Sequence, residues 1–188
     1  MTRIIGLTGN IACGKSTVAK ILKAQGITVI DADEVSRLVD YTEVEKVFGT
    51  RDRQKLREIV FASPEKRKEL EAIVHPLIRV KSEELLKSAI AGAAPESFVV
   101  YEAPLLVETG VPEFIKGLLV ITCPEAKQLE RILARDPSMT RELALKIKAA
   151  QIPQSQKVAA AHWVISNDGD EAHLEKKVLD WVNLVKNS

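Results

Sequence analysis

Five short apolar runs alternate along the chain with longer stretches whose apolar residues recur at helical spacing. The runs are RIIGLT, ITVIDAD, SFVVYE, GLLVITC and HWVISND. A short apolar run bounded by turn residues is typical of a buried strand, and apolar residues three and four apart are typical of a helix. The alternation predicts an α/β fold in three layers, with a five-stranded parallel sheet and helices on both faces.

One long segment, residues 41–92, interrupts this alternation because it contains no convincing strand. It predicts four helices, over EVEKVFG, RQKLREIVF, PEKRKELEAIV and PLIRVKSEELLKSAIAG. Breaks are expected at Gly49, before Pro64 and before Pro76, since proline can open a helix but disrupts its interior. The segment is interpreted as a helical insertion that binds a second substrate.

The rest of the chain divides into a core and a lid within a single domain. The core is predicted over 1–40, 93–123 and 158–188, and the lid over 124–157. The lid carries cations on two helices joined by a short turn, and such a hairpin could close over phosphate groups. Charge alone favours an ordinary solvated hairpin over a lid.

The turn after the first apolar run carries a motif for nucleotide phosphates. Gly9, Gly14, Lys15 and Ser16 satisfy the pattern G-x-x-x-x-G-K-[ST], between a predicted strand and a predicted helix. Glycines let the backbone N–H groups face one anion, Lys15 would reach the β- and γ-phosphates, and Ser16 would hold Mg²⁺. The predicted phosphate-binding residues are Asn10, Ile11, Ala12, Cys13, Gly14, Lys15, Ser16 and Thr17.

Two carboxylates end the second apolar run. Asp31 and Asp33 are one residue apart, so the period of a strand would put both on one side, at the edge where α/β sheets bind ligands. The alternative is that Asp33 only caps the helix that begins DEVSRLV. A third acid, Glu102, ends the strand SFVVYE in the position of a Walker-B-like carboxylate.

Composition limits the classes of partner. The 188 residues are 46% hydrophobic, with a net charge of +1, so no overall attraction to nucleic acid or membrane is expected. No apolar run reaches the length of a membrane span. Cys13 and Cys123 do not show zinc-type spacing, and they fit a reducing compartment. We expect a cytoplasmic protein that is a monomer or a weak homo-oligomer.

Six motifs in order resemble those of the dephospho-coenzyme A kinase family. They are LTGNIACGKSTVA, VIDADEVSR, DRQKLREIVF followed by LEAIVHPLIR, PLLVETG, QLERILARD and VISNDG. The resemblance covers nearly the whole chain and implies the P-loop kinase fold. It also implies ATP and Mg²⁺ as cofactors and dephospho-CoA as the acceptor, phosphorylated on its ribose 3′-hydroxyl in the last step of coenzyme A biosynthesis.

The resemblance assigns roles to individual residues. Asp33 would be the catalytic base, Lys15 would stabilise the phosphates, and Arg135 would be the leading lid cation. Asn167 and Gly169 would lie near the adenine of ATP. The residues expected to bind the acceptor are Asp31, Asp33, His75, Arg79, Pro104, Leu105 and Glu108.

The chain also departs from the family pattern. Arginines that are usual near the end of the lid appear as Gln154 and Lys157, and an expected acid appears as His162. The loop from Leu38 to Gly49 looks short. Several cations could contact the transferred phosphoryl group, and the sequence does not choose among Arg135, Arg141, Lys146 and Lys157.

Two other functions stay open on the sequence. One is another small-molecule or nucleoside kinase of the same fold, whose helical segment accepts a different hydroxyl group. The other is a nucleotide-dependent regulatory module that transfers no phosphate. The guanine-specific N-K-x-D motif is absent, and an acid at Asp33 together with a cationic lid favours catalysis.

Overall fold

Strands and helices alternate through the chain in the computed structural model, which describes residues 3–93, 97–135 and 139–187. The five strands are β1 Arg3–Thr8, β2 Val29–Asp31, β3 Phe98–Glu102, β4 Gly117–Thr122 and β5 Trp163–Ser166. The helices are α1 Lys15–Ala24, α2 Ala32–Val35, α3 Thr42–Phe48, α4 Arg53–Ala62, α5 Pro64–Ala91, α6 Glu125–Arg135, α7 Arg141–Ala149, α8 Gln154–Ala159 and α9 Glu171–Lys186. None of these helices is both long enough and apolar enough to cross a bilayer.

The strands form one sheet in the order β2-β3-β1-β4-β5. Strand β1 pairs in parallel with β3 and with β4, and β4 pairs in parallel with β5. The predicted parallel α/β fold is confirmed. Because parallel strands end at the same edge, the turns that follow β1, β3, β4 and β5 meet there.

The core lies between the sheet and the helices that cover it. Every residue of β3 and β4 is buried, which explains why these runs are mainly apolar rather than alternating. On one face Trp181 of α9 makes edge-to-face contacts with Phe98 and Trp163, with ring centroids 5.5 and 5.9 Å apart. Such contacts add to the burial of apolar area and fix the angle at which α9 packs.

Contacts divide the chain into two compact units. The first comprises Met1–Val29 and Ala89–Ser188, and the second comprises Ile30–Ser88. The second unit has a small core of its own, in which Val44, Leu56 and Val74 are buried. The helices of this segment therefore pack against one another through their own apolar residues.

Helix α5 runs unbroken through Pro76, so the break predicted there is wrong. Proline removes one helical hydrogen bond and crowds the carbonyl four residues earlier, at a cost of about 3 kcal/mol. Long flanks rich in Glu, Lys and Leu, which favour helix, offset that cost, and Val74 anchors the same stretch in a core. The other two predicted breaks are confirmed, at Gly49 with φ of 69° and at the extended Ser63 before Pro64.

Candidate functional site

The turn between β1 and α1 forms a tight loop, named here the phosphate loop, residues 9–16. Its backbone takes positive φ at Gly9 (153°), Ala12 (60°) and Gly14 (100°). A Cβ at Gly9 would collide with the carbonyl oxygen of Ile121, and one at Gly14 with the side-chain amide of Asn167. Glycine is therefore required at both positions for close approach as well as for conformation.

Lys15 curls over this loop. Its Nζ donates hydrogen bonds of 2.9 Å to the Gly9 carbonyl and 3.1 Å to the Asn10 carbonyl, and the residue is buried. The ammonium group is thus positioned at the mouth of the loop, beside the positive end of α1. Ser16 follows in the first turn of α1 and is exposed.

Side chains from the lid segment hold the near end of the loop. Gln128 donates a 2.7 Å hydrogen bond to the Ile11 carbonyl, and Gln151 accepts a 2.8 Å hydrogen bond from the Ile11 N–H. Asn10 donates to the carbonyl of Ile152 at 3.1 Å. The sequence analysis did not identify Gln128 and Gln151 as residues that support the loop. The helical spacing of α6 could have indicated that Gln128 lies on its buried face.

The middle of the loop is held by Asn167, which comes directly after β5. Asn167 is buried, and its amide donates a 2.9 Å hydrogen bond to the Cys13 carbonyl. Arg131 donates at 3.3 Å both to Asn167 Oδ1 and to the Cys123 sulfur. The residue predicted near adenine therefore also supports the backbone of the phosphate loop.

The turn that contains Gly169 is held by a neighbouring ion pair. A hydrogen bond from Lys177 Nζ, 2.9 Å long, is the main cause that lowers the pKa of Asp168 to about 2. The carboxylate is therefore ionised at neutral pH, and the same ammonium bonds the Ser166 carbonyl at 2.8 Å. Lys177 thus fixes the turn that leads into α9.

The thiol of Cys13 lies in the interior. Burial is the main cause that raises its pKa to about 11. The sulfur contacts the side chains of Gln128 and Gln154, each at 3.6 Å. Since the thiolate is the reactive form, this cysteine is a packing residue of the loop rather than a nucleophile.

A second turn, residues 104–109, follows β3 and is named here the acceptor turn. The Pro104 carbonyl accepts a 3.1 Å hydrogen bond from Thr8 Oγ1 and a 2.6 Å hydrogen bond from Lys157 Nζ. The same ammonium lies 2.9 Å from Glu108 Oε1, and Lys157 is 0% exposed. Lys157, one of the four candidate lid cations, is therefore engaged in this turn.

The remaining lid cations lie at the surface. Arg135 is the last residue of α6 and Arg141 the first of α7, and both are exposed. Lys146 pairs with Glu142 at 2.9 Å. The short turn predicted at Pro137 lies outside the described residues.

In the second unit, Asp31 and Asp33 do not share a strand. Strand β2 ends at Asp31, whose side chain accepts a 2.8 Å hydrogen bond from the Asp33 N–H and so caps α2. The two predictions for Asp33, a strand position and a helix cap, are both wrong. It occupies the first turn of α2, where it is exposed.

His75 and Arg79 are both exposed on α5. They are four residues apart, so they share one helical face. Arg79 pairs with Glu83 at 3.3 Å, an exposed contact that contributes little to stability. Its guanidinium group can therefore exchange that partner for a ligand at small cost.

His162, which stands where the family pattern has an acid, has a structural role. Its N–H donates a 2.9 Å hydrogen bond to the Leu118 carbonyl, and its Nδ1 accepts a 3.2 Å hydrogen bond from the Leu118 N–H. The imidazole and the backbone of this residue thus extend the pairing of β4 with β5 by one position.

Comparison with known proteins identifies close relatives. The family model described as dephospho-CoA kinase matches residues 3–173. The chain is 42% identical to the dephospho-CoA kinase of Methylococcus capsulatus, with 93% of this chain and 92% of that protein covered. It is 39% identical to the dephospho-CoA kinase of Bacillus licheniformis, with 99% and 100% covered.

Solved structures agree with this relationship. A Thermus thermophilus protein superposes with a TM-score of 0.82 at 34% identity, covering 97% of each chain. A dephospho-CoA kinase from Campylobacter jejuni superposes with a TM-score of 0.75 at 29% identity, covering 100% of this chain and 98% of that one. A shikimate kinase from Bacteroides thetaiotaomicron, 17% identical with a TM-score of 0.57, shares the fold and covers 98% of both chains.

Proposed function

The chain belongs to the dephospho-CoA kinase family, and we propose from that premise that it transfers the γ-phosphoryl group of ATP to the ribose 3′-hydroxyl of dephospho-CoA. The observation that carries the proposal is the match over residues 3–173, which includes both the phosphate loop and the helical segment. A match confined to the phosphate loop would support only nucleotide binding. The acceptor therefore follows from the length of the similarity.

The phosphate loop binds the phosphates of ATP. Its backbone N–H groups and the first turn of α1 supply fixed positive charge, which stabilises the charge that develops on the transferred group without reorganisation. Lys15 exchanges its contacts with the Gly9 and Asn10 carbonyls for phosphate oxygens. Asn167 and Gly169 flank the adenine side.

Ser16 is the residue that would hold Mg²⁺. A hydroxyl oxygen suits this ion, and Ser16 is exposed in the first turn of α1. Across the described ranges no group of three or more His, Cys, Asp or Glu side chains could hold a metal without further ligands. When bound, Mg²⁺ would neutralise charge on the nucleotide phosphates.

Asp33 is the general base. Its carboxylate accepts the proton of the ribose 3′-hydroxyl while that oxygen forms a bond to the γ-phosphorus and the bond to the β-phosphate oxygen breaks, releasing ADP. Its place in the first turn of α2 supports the role, because Asp31 accepts its N–H and fixes that turn. Asp33 is exposed, as a base that must meet a substrate has to be.

The residues proposed to bind the acceptor are those that the family motifs imply. In the second unit these are Asp31, His75 and Arg79, and the forked guanidinium of Arg79 suits a phosphate group. In the first unit they are Pro104, Leu105 and Glu108 of the acceptor turn. Arg135 of the lid stabilises the transferred group.

We also propose that the protein works in the cytoplasm without nucleic acid or membrane partners, as a monomer or weak homo-oligomer. The free thiols of Cys13 and Cys123 support a reducing compartment. The net charge of +1 supports the absence of a polyanionic partner.

The proposal is tested by incubating the protein with Mg-ATP and dephospho-CoA and measuring ADP and CoA together. We expect equal amounts of both products. Asp33→Asn should abolish turnover while ATP binding stays within a few-fold, because only the proton acceptor is lost. Glu34→Gln is the matched control, since Glu34 is exposed in the same turn. Product from Asp33→Asn at the normal rate would remove Asp33 as the base, and ADP without CoA would refute the acceptor.

A further inference from the structure

A short segment at the end of the lid, residues 151–157, connects the two turns of the site in the first unit. At one end it contacts the phosphate loop, through Gln151 at the Ile11 N–H (2.8 Å) and through the Ile152 carbonyl at Asn10 (3.1 Å). This connecting segment includes most of α8, so its far end is held at a defined distance by a helical backbone.

At the other end, the segment places Lys157 in the acceptor turn. Lys157 Nζ donates a 2.6 Å hydrogen bond to the Pro104 carbonyl and lies 2.9 Å from Glu108 Oε1. The Pro104 carbonyl also accepts from Thr8, the last residue of β1. One carbonyl therefore joins the acceptor turn both to the connecting segment and to the strand that leads into the phosphate loop.

The charge on Lys157 is compensated inside the protein. The residue is 0% exposed. A buried ammonium group is costly unless a charge or hydrogen-bond acceptors compensate it. Both carboxylate oxygens of Glu108 are buried, and neither accepts a well-directed hydrogen bond in the part of the chain that the structure describes. The ion pair with Lys157 thus compensates Glu108, and the two charges depend on each other.

We propose that Lys157 is a positioning residue for the acceptor. It fixes the position of the acceptor turn relative to the phosphate loop and does not contact a phosphate itself. The proposal rests on the function proposed above. Transfer requires the two substrates to be aligned closely, and a displacement of about 1 Å can cost about a hundredfold in rate. Lys157 supplies the fixed link through the Pro104 carbonyl, so its loss should affect the acceptor and spare ATP.

Stability and positioning can be separated because the ion pair has two partners. Lys157→Met leaves Glu108 buried and uncompensated, so it should lower the melting temperature. Replacing both partners with apolar residues, in Lys157→Met with Glu108→Leu, removes the buried charge and should restore the melting temperature. Both variants lack the donor to the Pro104 carbonyl.

The test measures KM for dephospho-CoA, KM for ATP, kcat and melting temperature in the wild type and both variants. We expect KM for dephospho-CoA to rise roughly tenfold and kcat to fall in both variants, with KM for ATP within about twofold. Glu108→Gln alone keeps a side-chain oxygen that can accept from Lys157, so the lysine donor stays at the Pro104 carbonyl. This variant separates the loss of the Glu108 charge from the loss of the link. Its KM for dephospho-CoA should rise less than that of the double variant. The control is Lys66→Met, which breaks an exposed pair with Glu69 at 2.7 Å and should change none of these constants.

Three results would overturn the positioning role. One is a double variant that regains both the melting temperature and the wild-type KM for dephospho-CoA. Another is an equal rise in KM for both substrates, and the third is Glu108→Gln with as large an effect as the double variant. If Lys157→Met does not fold, the double variant decides the matter alone. Absence of CoA from the wild-type reaction would refute the proposed function itself, and with it this role.

Discussion

The side-chain amide of Asn167 donates a 2.9 Å hydrogen bond to the carbonyl oxygen of Cys13, which is 154 residues away along the chain. The bond joins the end of β5 to the middle of the phosphate loop. Arg131 donates a 3.3 Å hydrogen bond to Oδ1 of the same amide. Since Oδ1 accepts from Arg131, the amide nitrogen of Asn167 is the donor to Cys13. The last strand therefore supports the loop that binds the nucleotide.

Asn167→Asp should weaken ATP binding. The substitution keeps an oxygen that accepts from Arg131 but sets a second oxygen against the Cys13 carbonyl, where a donor is needed. Loss of a buried hydrogen bond of this kind costs about 1–3 kcal/mol, so the melting temperature should fall and KM for ATP should rise about tenfold. Asn183→Asp, at an exposed position of α9, is the control. An unchanged KM for ATP would show that the loop keeps its shape without this bond.

Lys15→Ala should lower kcat far more than it lowers affinity for ATP. The ammonium group is held over the loop by the Gly9 and Asn10 carbonyls, so its charge is in place before the reaction begins. Removing one preorganised charged group of this kind costs roughly a hundredfold to a thousandfold in rate. Single-turnover kinetics at saturating ATP measure the effect, with Lys20→Ala, exposed on α1, as the control. A change confined to KM would assign Lys15 to ground-state binding only.

Arg135→Ala should slow phosphoryl transfer more than it weakens binding of dephospho-CoA. Arg135 is exposed at the end of α6, and the role proposed for it is to reach the phosphates as the proposed lid closes. Arg135→Lys is the informative comparison, because it keeps the charge and loses the planar fork. We expect the lysine variant to recover part of kcat. A defect only in KM for dephospho-CoA would move Arg135 out of the lid role.

Pro76→Ala should stabilise the second unit. Pro76 lies inside α5, where it lacks the N–H that the helix needs, and alanine restores that hydrogen bond. The gain should be about 1–3 kcal/mol in the free energy of unfolding, as measured by urea denaturation. Pro64→Ala is the matched control: Pro64 is the first residue of the same helix, where proline is favourable, so no gain is expected. A loss of stability in Pro76→Ala would show that the helix requires the proline at this point.

The Cys13 thiol should make stability depend on alkaline pH. Burial raises its pKa from 9.0 to about 11, so the folded protein binds this proton more tightly than the unfolded chain does. Its contribution to stability is therefore fully present below pH 9 and is lost as the pH rises through about 11. Urea denaturation over this range should show a steeper decline in wild type than in Cys13→Ala, which has no thiol to titrate. Parallel curves would contradict the raised pKa, as would rapid alkylation of Cys13 in the folded protein at pH 8.

Pro76 and Asp33 show where local rules fail. The rule that proline ends a helix is local, but the stability of α5 depends on the length of its flanks and on Val74 in a core. Strand period and helix capping each predicted a position for Asp33. In the structure β2 ends at Asp31, two residues before Asp33, and Asp31 caps α2. Boundaries of this kind are set by packing, which a short stretch of sequence does not contain.

The sequence by itself determined the alternation of strands and helices, the parallel sheet and the phosphate loop, because periodicity and glycine pattern act between residues close along the chain. Tertiary structure alone decided which side chains support the site. Gln128 reaches Ile11 across 117 residues, Asn167 reaches Cys13 across 154, and Lys157 reaches Pro104 across 53. A lysine or asparagine of this kind looks the same in sequence whether it faces solvent or a buried carbonyl. Only the fold brings the donor to the acceptor and removes the water that would otherwise bind both.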